Sequence, residues 1–217
     1  MKLQGKTIWI TGAARRIGHA IAIACAKYGA NIVVHYNTSP DEAEATAEEI
    51  HRHGGHAYLI KADLTSITEI QSAVDQVSSH WPKIDILIHN AAVFFPTPFG
   101  STTEEEWNTT IDSNLKGPYF LTQALFPNLK KSPCPHVIFL GDIQCETPAA
   151  RLVPYAITKM GLRAMVAGFK DVDSYIHWSL LELGPTLPPE DTRIKSPPIT
   201  DTLDSVVNRV MEILCTN

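Results

Sequence analysis

Short apolar runs alternate with amphipathic stretches along almost the whole chain. Residues 6–11 (KTIWIT), 31–36 (NIVVHY), 56–61, 84–89 (IDILIH), 136–140 (HVIFL) and 175–183 read as six strands. Between them, residues 17–28, 40–53, 67–80, 103–129, the stretch carrying Tyr155, and 202–214 read as helices. Ile17, Ala20, Ile21 and Ala24 set the spacing of the first, Pro40 stands near the start of the second, and Gly117 and Pro118 bend the long fourth one. Strands alternating with helices predict an α/β fold: a single doubly wound Rossmann-type domain over residues 1–217, with a mainly parallel sheet and right-handed crossovers. A Pro-rich loop is expected over 184–198, and neither an internal repeat nor a domain-scale linker is visible.

The size, 217 residues, suits one core. A formal charge of −5 and a pI near 6.0 give no basic footprint for nucleic acid or an anionic membrane. The four cysteines, Cys25, Cys134, Cys145 and Cys215, show no paired spacing, no apolar run is long enough to span a bilayer, and the N-terminus enters a strand directly. A cytoplasmic protein is the expectation.

The first strand hands over to a helix through TGAARRIG at residues 11–18, so backbone amides and the helix N-terminus would face a pyrophosphate. Thr11, Gly12, Arg15, Arg16, Ile17 and Gly18 are therefore candidate cofactor contacts. Arg15 and Arg16 set two cations against the helix dipole, which argues for a bound anion. At the end of the second strand stand His35, Tyr36, Asn37, Thr38 and Ser39, with no carboxylate to repel a 2′-phosphate, so NADPH is expected over NADH. Asp63 and Leu64 end the third strand and could grip an adenine edge, although Asp63 could equally cap the next helix. Asn90, Ala91 and Ala92 end the fourth, along the edge where doubly wound folds bind ligands.

Tyr155 and Lys159 are four apart and share one helix face. Bringing a phenol from about 10 to about 7 takes roughly 4 kcal/mol, which a lysine about 4 Å away supplies at an effective dielectric of about 20. A phenol of lowered pKa is the expectation. Thirteen residues before the tyrosine stands Asp142, whose carboxylate would repel the alkoxide formed from a ketone but could accept from ring N–H groups or share a proton with Tyr155.

Through TGAARRIG, Asp63, the Asn90 segment, Asn114 and Tyr155xxxLys159, residues 5–188 resemble the short-chain dehydrogenase/reductase family. Arg16 in place of a glycine, Asp142 in place of a serine, and NAAVFFPTP at 90–98 make the chain look more narrowly like a pteridine reductase. The resemblance implies NADPH-dependent reduction of a pterin C=N bond, in dihydromonapterin, dihydrobiopterin or dihydrofolate. Phe94 would stack on the pterin, with Arg16, Asp142, Tyr155 and Leu187 as further substrate contacts. Asn114 would hold a water resupplying Lys159, while Tyr155, Lys159 and Pro185 would also meet the cofactor. It implies a homo-oligomer, dimer or tetramer, and six strands, because the seventh of similar proteins lacks its sequence here. Thr186 stands where a glycine is usual, so the loop there should adopt another geometry. The alternatives are a short-chain reductase of ketones or 3-oxoacyl thioesters, and an NADP(H)-binding protein with little catalytic activity.

Other features have plainer readings. His51, His53 and His56 fall at a helix C-terminus rather than forming a metal site, and no metal is expected. Cys145 is taken as an ordinary small residue, and Trp107, Leu115, Tyr119 and Leu125 as core or subunit-contact positions.

Overall fold

The computed structural model describes residues 3–186, 188 and 198–215. Six strands form one parallel sheet in the order β3-β2-β1-β4-β5-β6. They are β1 (Thr7–Ile10), β2 (Asn31–Tyr36), β3 (His56–Lys61), β4 (Ile86–His89), β5 (His136–Asp142) and β6 (His177–Leu183). The helices are α1 (Arg16–Lys27), α2 (Pro40–Arg52), α3 (Ile67–His80), α4 (Glu104–Ile111), α5 (Gly117–Leu129), α6 (Val153–Val172) and α7 (Leu203–Cys215). This is the Rossmann-type architecture expected from the alternation.

Successive residues of each strand feed opposite cores, as a pleated strand covered on both faces must. Ile8, Ile10, Ile32, Val34, Ile138 and Leu140 pack with α1, α2 and α7, whereas Trp9, Val33, Val137 and Phe139 pack with α3, α5 and α6. In α7 the buried residues Val206, Val210 and Leu214 recur every four positions, placing that helix against α1.

Chain order reverses between β1 and β4, which opens a crevice at the C-terminal ends of those strands. Two features shape its far wall. The helical region 103–129 is interrupted by a π-helical turn, Asp112–Lys116, ahead of Gly117. Gly117 itself lies so close to β3's exit that a Cβ there would stand 2.5 Å from the Leu64 carbonyl oxygen. The expected bend is thus a local change of helical pitch just before the Gly-Pro pair. Beyond β5, two short 3-10 turns, Ile143–Glu146 and Ala150–Leu152, lead into α6.

Candidate active site

The glycine turn after β1 is fixed from three sides. Thr11 Oγ1 accepts from the amides of Asn90 and Ala91 at 2.9 and 3.0 Å, and Asn90 Nδ2 donates to the carbonyls of Thr11 and Gly12. Gly12 has φ +63°, and a Cβ on Gly18 would fall 2.2 Å from the Gly12 carbonyl oxygen, so α1 can start this close to the turn only with glycine there. Arg16 has φ +56° and is the one non-glycine residue at positive φ among those described. A left-handed arginine costs about 1–2 kcal/mol. Its guanidinium donates to the Pro188 carbonyl at 2.8 Å.

A cavity of about 430 Å³ lies over this turn. Its lining brings together most of the residues proposed from sequence for a nucleotide: Gly12, Arg15, Arg16, Ile17, His35 to Ser39, Asp63, Leu64 and Asn90 to Ala92. Sequence reasoning missed Ala14, Ala62, Val93 and Ser113, which also line it and carry no side-chain signal of their own.

Three of the proposed contacts have other tasks. Thr11 and Gly18 are buried beneath the turn. His35 is buried too: Nδ1 accepts from the Gly12 amide at 3.1 Å, so Nε2 carries the hydrogen and donates to the Ala62 carbonyl at 3.1 Å. It therefore clamps the glycine turn to the end of β3, with both ring nitrogens engaged, while also lining the cavity. Burial holds its pKa down at about 4, only partly countered by the Ala62 carbonyl and Asp63. Asp63 Oδ1 accepts from the Thr65 amide at 2.8 Å, while Ser66 caps α3. Burial raises the Asp63 carboxyl, but bonds from Thr65 and Asn37 and the neighbouring His35 carry it below its usual value.

The second cavity, about 190 Å³, is lined by Phe94, Asp142, Cys145, Arg151 and Tyr155 among others. Tyr155 sits in the first turn of α6 and Asp142 at the end of β5. The tyrosine hydroxyl donates to Asp142 Oδ2 at 3.2 Å, and Asp142 Oδ1 accepts from the Gln144 amide at 2.9 Å. Phe94 meets Tyr155 edge to face at 4.7 Å between centroids. Lys159, buried one turn further on, donates to the Leu140 carbonyl at 2.9 Å and lies 5.6 Å from the centre of the tyrosine ring.

This geometry corrects the expected phenol of lowered pKa. The charge bonded to the hydroxyl is the Asp142 carboxylate, and burial together with that carboxylate pushes the phenol well above 10. Burial lowers Lys159, with Asp142 acting in the opposite sense. Asn114 is buried. Within the π-helical turn its side-chain oxygen accepts from the Val93 amide at 2.8 Å and its Nδ2 donates to the Val93 carbonyl at 2.9 Å. The side chain thus anchors the segment carrying Phe94.

Pro185 follows β6, and its carbonyl accepts from the amides of Thr200 and Asp201. Thr186 keeps a negative φ and bonds back to the Gly184 carbonyl at 3.0 Å, in keeping with a turn altered from a glycine one. Leu187 lies outside the described residues. Cys145 is buried; burial first, then Asp142, pushes its thiol up to about 12, so it is an inert neighbour. No cluster among the described residues could hold a metal, and no helix among them is long and apolar enough to cross a membrane.

A glycine turn at the switch point of a parallel sheet, with a tyrosine and a lysine one helical turn apart beyond β5, defines a doubly wound Rossmann-type α/β domain with a candidate site at its strand ends. The chain belongs to the short chain dehydrogenase family, which it matches over residues 6–176. It is 32% identical over 157 residues to the 3-oxoacyl-(acyl-carrier-protein) reductase FabG of Staphylococcus epidermidis, covering 72% of this chain and 64% of that protein. It is 31% identical over 166 residues to the 5-keto-D-gluconate 5-reductase of Escherichia coli, covering 76% and 65%. The matches span just under two thirds of the length of these curated relatives. Among solved structures, a short chain dehydrogenase from Burkholderia cenocepacia in complex with NADP superposes with a TM-score of 0.89 at 25% identity, covering 99% of this chain and 92% of that one.

Proposed function

We propose that this chain is an NADPH-dependent reductase that saturates a C=N bond of a dihydropterin. The observation carrying the reading is the bond from Tyr155 to the Asp142 carboxylate at 3.2 Å. A ketone acquires negative charge on oxygen as it is reduced, and an acceptor-only group beside that oxygen raises the barrier. A pterin presents ring N–H and amino donors instead, which a carboxylate can accept. Phe94, beside the tyrosine, offers the flat apolar surface such a ring needs.

The residues of the first cavity fit NADPH. The turn around Gly12 has no side chain to hold a pyrophosphate away, and Arg15, Asn37, Thr38 and Ser39 supply donors without a carboxylate among them. The solved relative from Burkholderia cenocepacia is in complex with NADP, which supports the same cofactor here. When bound, NADPH supplies the hydride. Tyr155 Oη gives its hydrogen to a ring nitrogen, and Asp142 orients the ring through its N–H groups. The Lys159 ammonium, fixed on the Leu140 carbonyl, favours the phenolate that is left. Asn114 holds the segment carrying Phe94 beside the cavity. Exposed Trp107, Tyr119, Ile157 and Met160 on α4 to α6 support an oligomer built through that face.

A second reading, a carbonyl or 3-oxoacyl thioester reductase, is favoured by what the two curated relatives are named for. NADPH oxidation measured against 7,8-dihydropterins and against a β-keto thioester and small ketones separates the two. Faster turnover of the carbonyl compounds establishes the second reading.

A further inference from the structure

Resting on the pterin reading, we propose that Arg151 selects dihydropterins whose side chain carries an anionic group, with a carboxylate as the best match. The cavity beside Tyr155 measures about 190 Å³, below the roughly 300 Å³ at which ligand pockets usually begin. It has room for a fused ring and little more, so a substituent must leave through the rim. Two charged side chains line this cavity, Asp142 and Arg151. Asp142 is engaged by Tyr155 and Gln144. Arg151 is exposed and stands at the opening.

The base of Arg151 is fixed. Its carbonyl accepts from the Thr97 amide at 2.8 Å and from Thr97 Oγ1 at 3.3 Å, fastening the segment that carries Phe94 to the 3-10 turn Ala150–Leu152. Neighbouring cations are committed: Arg163 to Glu146 and Glu182, Lys159 to the Leu140 carbonyl, and Arg16 to the Pro188 carbonyl. The Arg151 guanidinium makes neither a hydrogen bond nor an ion pair among the described residues.

Glu146 and Glu182 are paired with Arg163, which leaves the Asp142 carboxylate as the charge facing the cavity from the end of β5. Arg151 adds a cation on the exposed side of that cavity, and a guanidinium fork matches two carboxylate oxygens at once. The structure thereby distinguishes a dihydropterin with a charged tail from one with a neutral polyol tail, which gains nothing from the fork.

The test is steady-state kinetics of the full chain with NADPH and either dihydrofolate, whose glutamate tail is anionic, or dihydrobiopterin, whose tail is neutral. In Arg151→Gln the ratio of kcat/KM for dihydrofolate to that for dihydrobiopterin falls about tenfold, as loss of one charge-assisted fork predicts, and the change lies in KM. Arg151→Lys recovers part of it, and sodium chloride raises the dihydrofolate KM of the wild type but not that of Arg151→Gln. A ratio unchanged within twofold across the three proteins, with no salt effect, overturns this inference while leaving the pterin reading standing. No turnover of either dihydropterin overturns both.

Discussion

Tyr155 gives its hydroxyl hydrogen to Asp142 Oδ2 at 3.2 Å, while Lys159, one helical turn on, gives its own to the Leu140 carbonyl at 2.9 Å. The phenol is therefore governed by burial and by a carboxylate at bonding distance, with the lysine ammonium 5.6 Å from the centre of its ring. That arrangement keeps the phenol protonated across the ordinary pH range. In the proposed reduction it is the proton source, and the buried ammonium supports the phenolate left behind.

Replacing Asp142 by serine removes the acceptor and the charge together. Dihydropterin turnover should fall by about 100-fold, the scale of one positioned acid–base group, while turnover of ketones rises from its low level. Parallel assays of the two substrate classes check this. Because the carboxylate raises the phenol, Asp142→Asn should also move the alkaline limb of the pH profile to lower pH.

Gly18→Ala places a methyl 2.2 Å from the Gly12 carbonyl oxygen, against backbone that cannot yield without opening the turn. A loss of about 1–3 kcal/mol in stability is expected, together with NADPH affinity too weak to detect by calorimetry. Retained affinity with a normal melting temperature would show that the turn is not the cofactor cradle.

Arg16 is held at φ +56°. Arg16→Gly relieves about 1–2 kcal/mol of left-handed strain against an entropic cost of roughly 0.5–1 kcal/mol and the lost bond to the Pro188 carbonyl, worth about 0.5–1.5 kcal/mol, so the melting temperature should stay nearly level. NADPH affinity should nevertheless fall by about tenfold, the worth of a charge-assisted contact. Affinity falling while stability barely moves is the signature of strain kept for binding.

Burial keeps His35 and His89 neutral, with pKa values held down to about 4 and about 3, and His136 is likewise lowered to about 4. In the unfolded chain they titrate near 6.5. Between about 6.5 and 4 the unfolded state thus binds more protons than the folded one, and each histidine costs up to about 1.4 kcal/mol per pH unit as pH falls. Stability should be level above pH 6.5 with respect to these groups and decline steadily below it. Denaturant midpoints from pH 7 to 4 measure this. His35→Asn, which keeps a polar bridge without a titrating ring, should flatten the slope.

The sequence displayed the sheet almost completely because parallel strands and amphipathic helices write their periods openly: β2 and β3 coincide with the apolar runs at 31–36 and 56–61, and α3 with 67–80. The residues lining the cofactor cavity were legible for the same reason, since they sit at strand exits. What stayed hidden was where side chains point their hydrogen bonds. Nothing in NIVVHY tells that His35 turns inward to clamp Gly12, nor does the YxxxK spacing tell that Lys159 finds a carbonyl two residues before Asp142. The π-helical turn around Asn114 was equally silent, because a shift of helical pitch leaves no composition signal. The inverted phenol follows from these unseen partners: helical spacing brought Lys159 near, but the strand end brought Asp142 nearer.

The central claim is that the Asp142–Tyr155 pair serves a nitrogen heterocycle. The most direct measurement is the NADPH oxidation rate of the wild-type chain and Tyr155→Phe with 7,8-dihydrobiopterin, beside a β-keto thioester. Dihydropterin turnover exceeding thioester turnover, and falling to near the blank in Tyr155→Phe, is the predicted result. Faster thioester turnover, or dihydropterin turnover that survives loss of the hydroxyl, would contradict it.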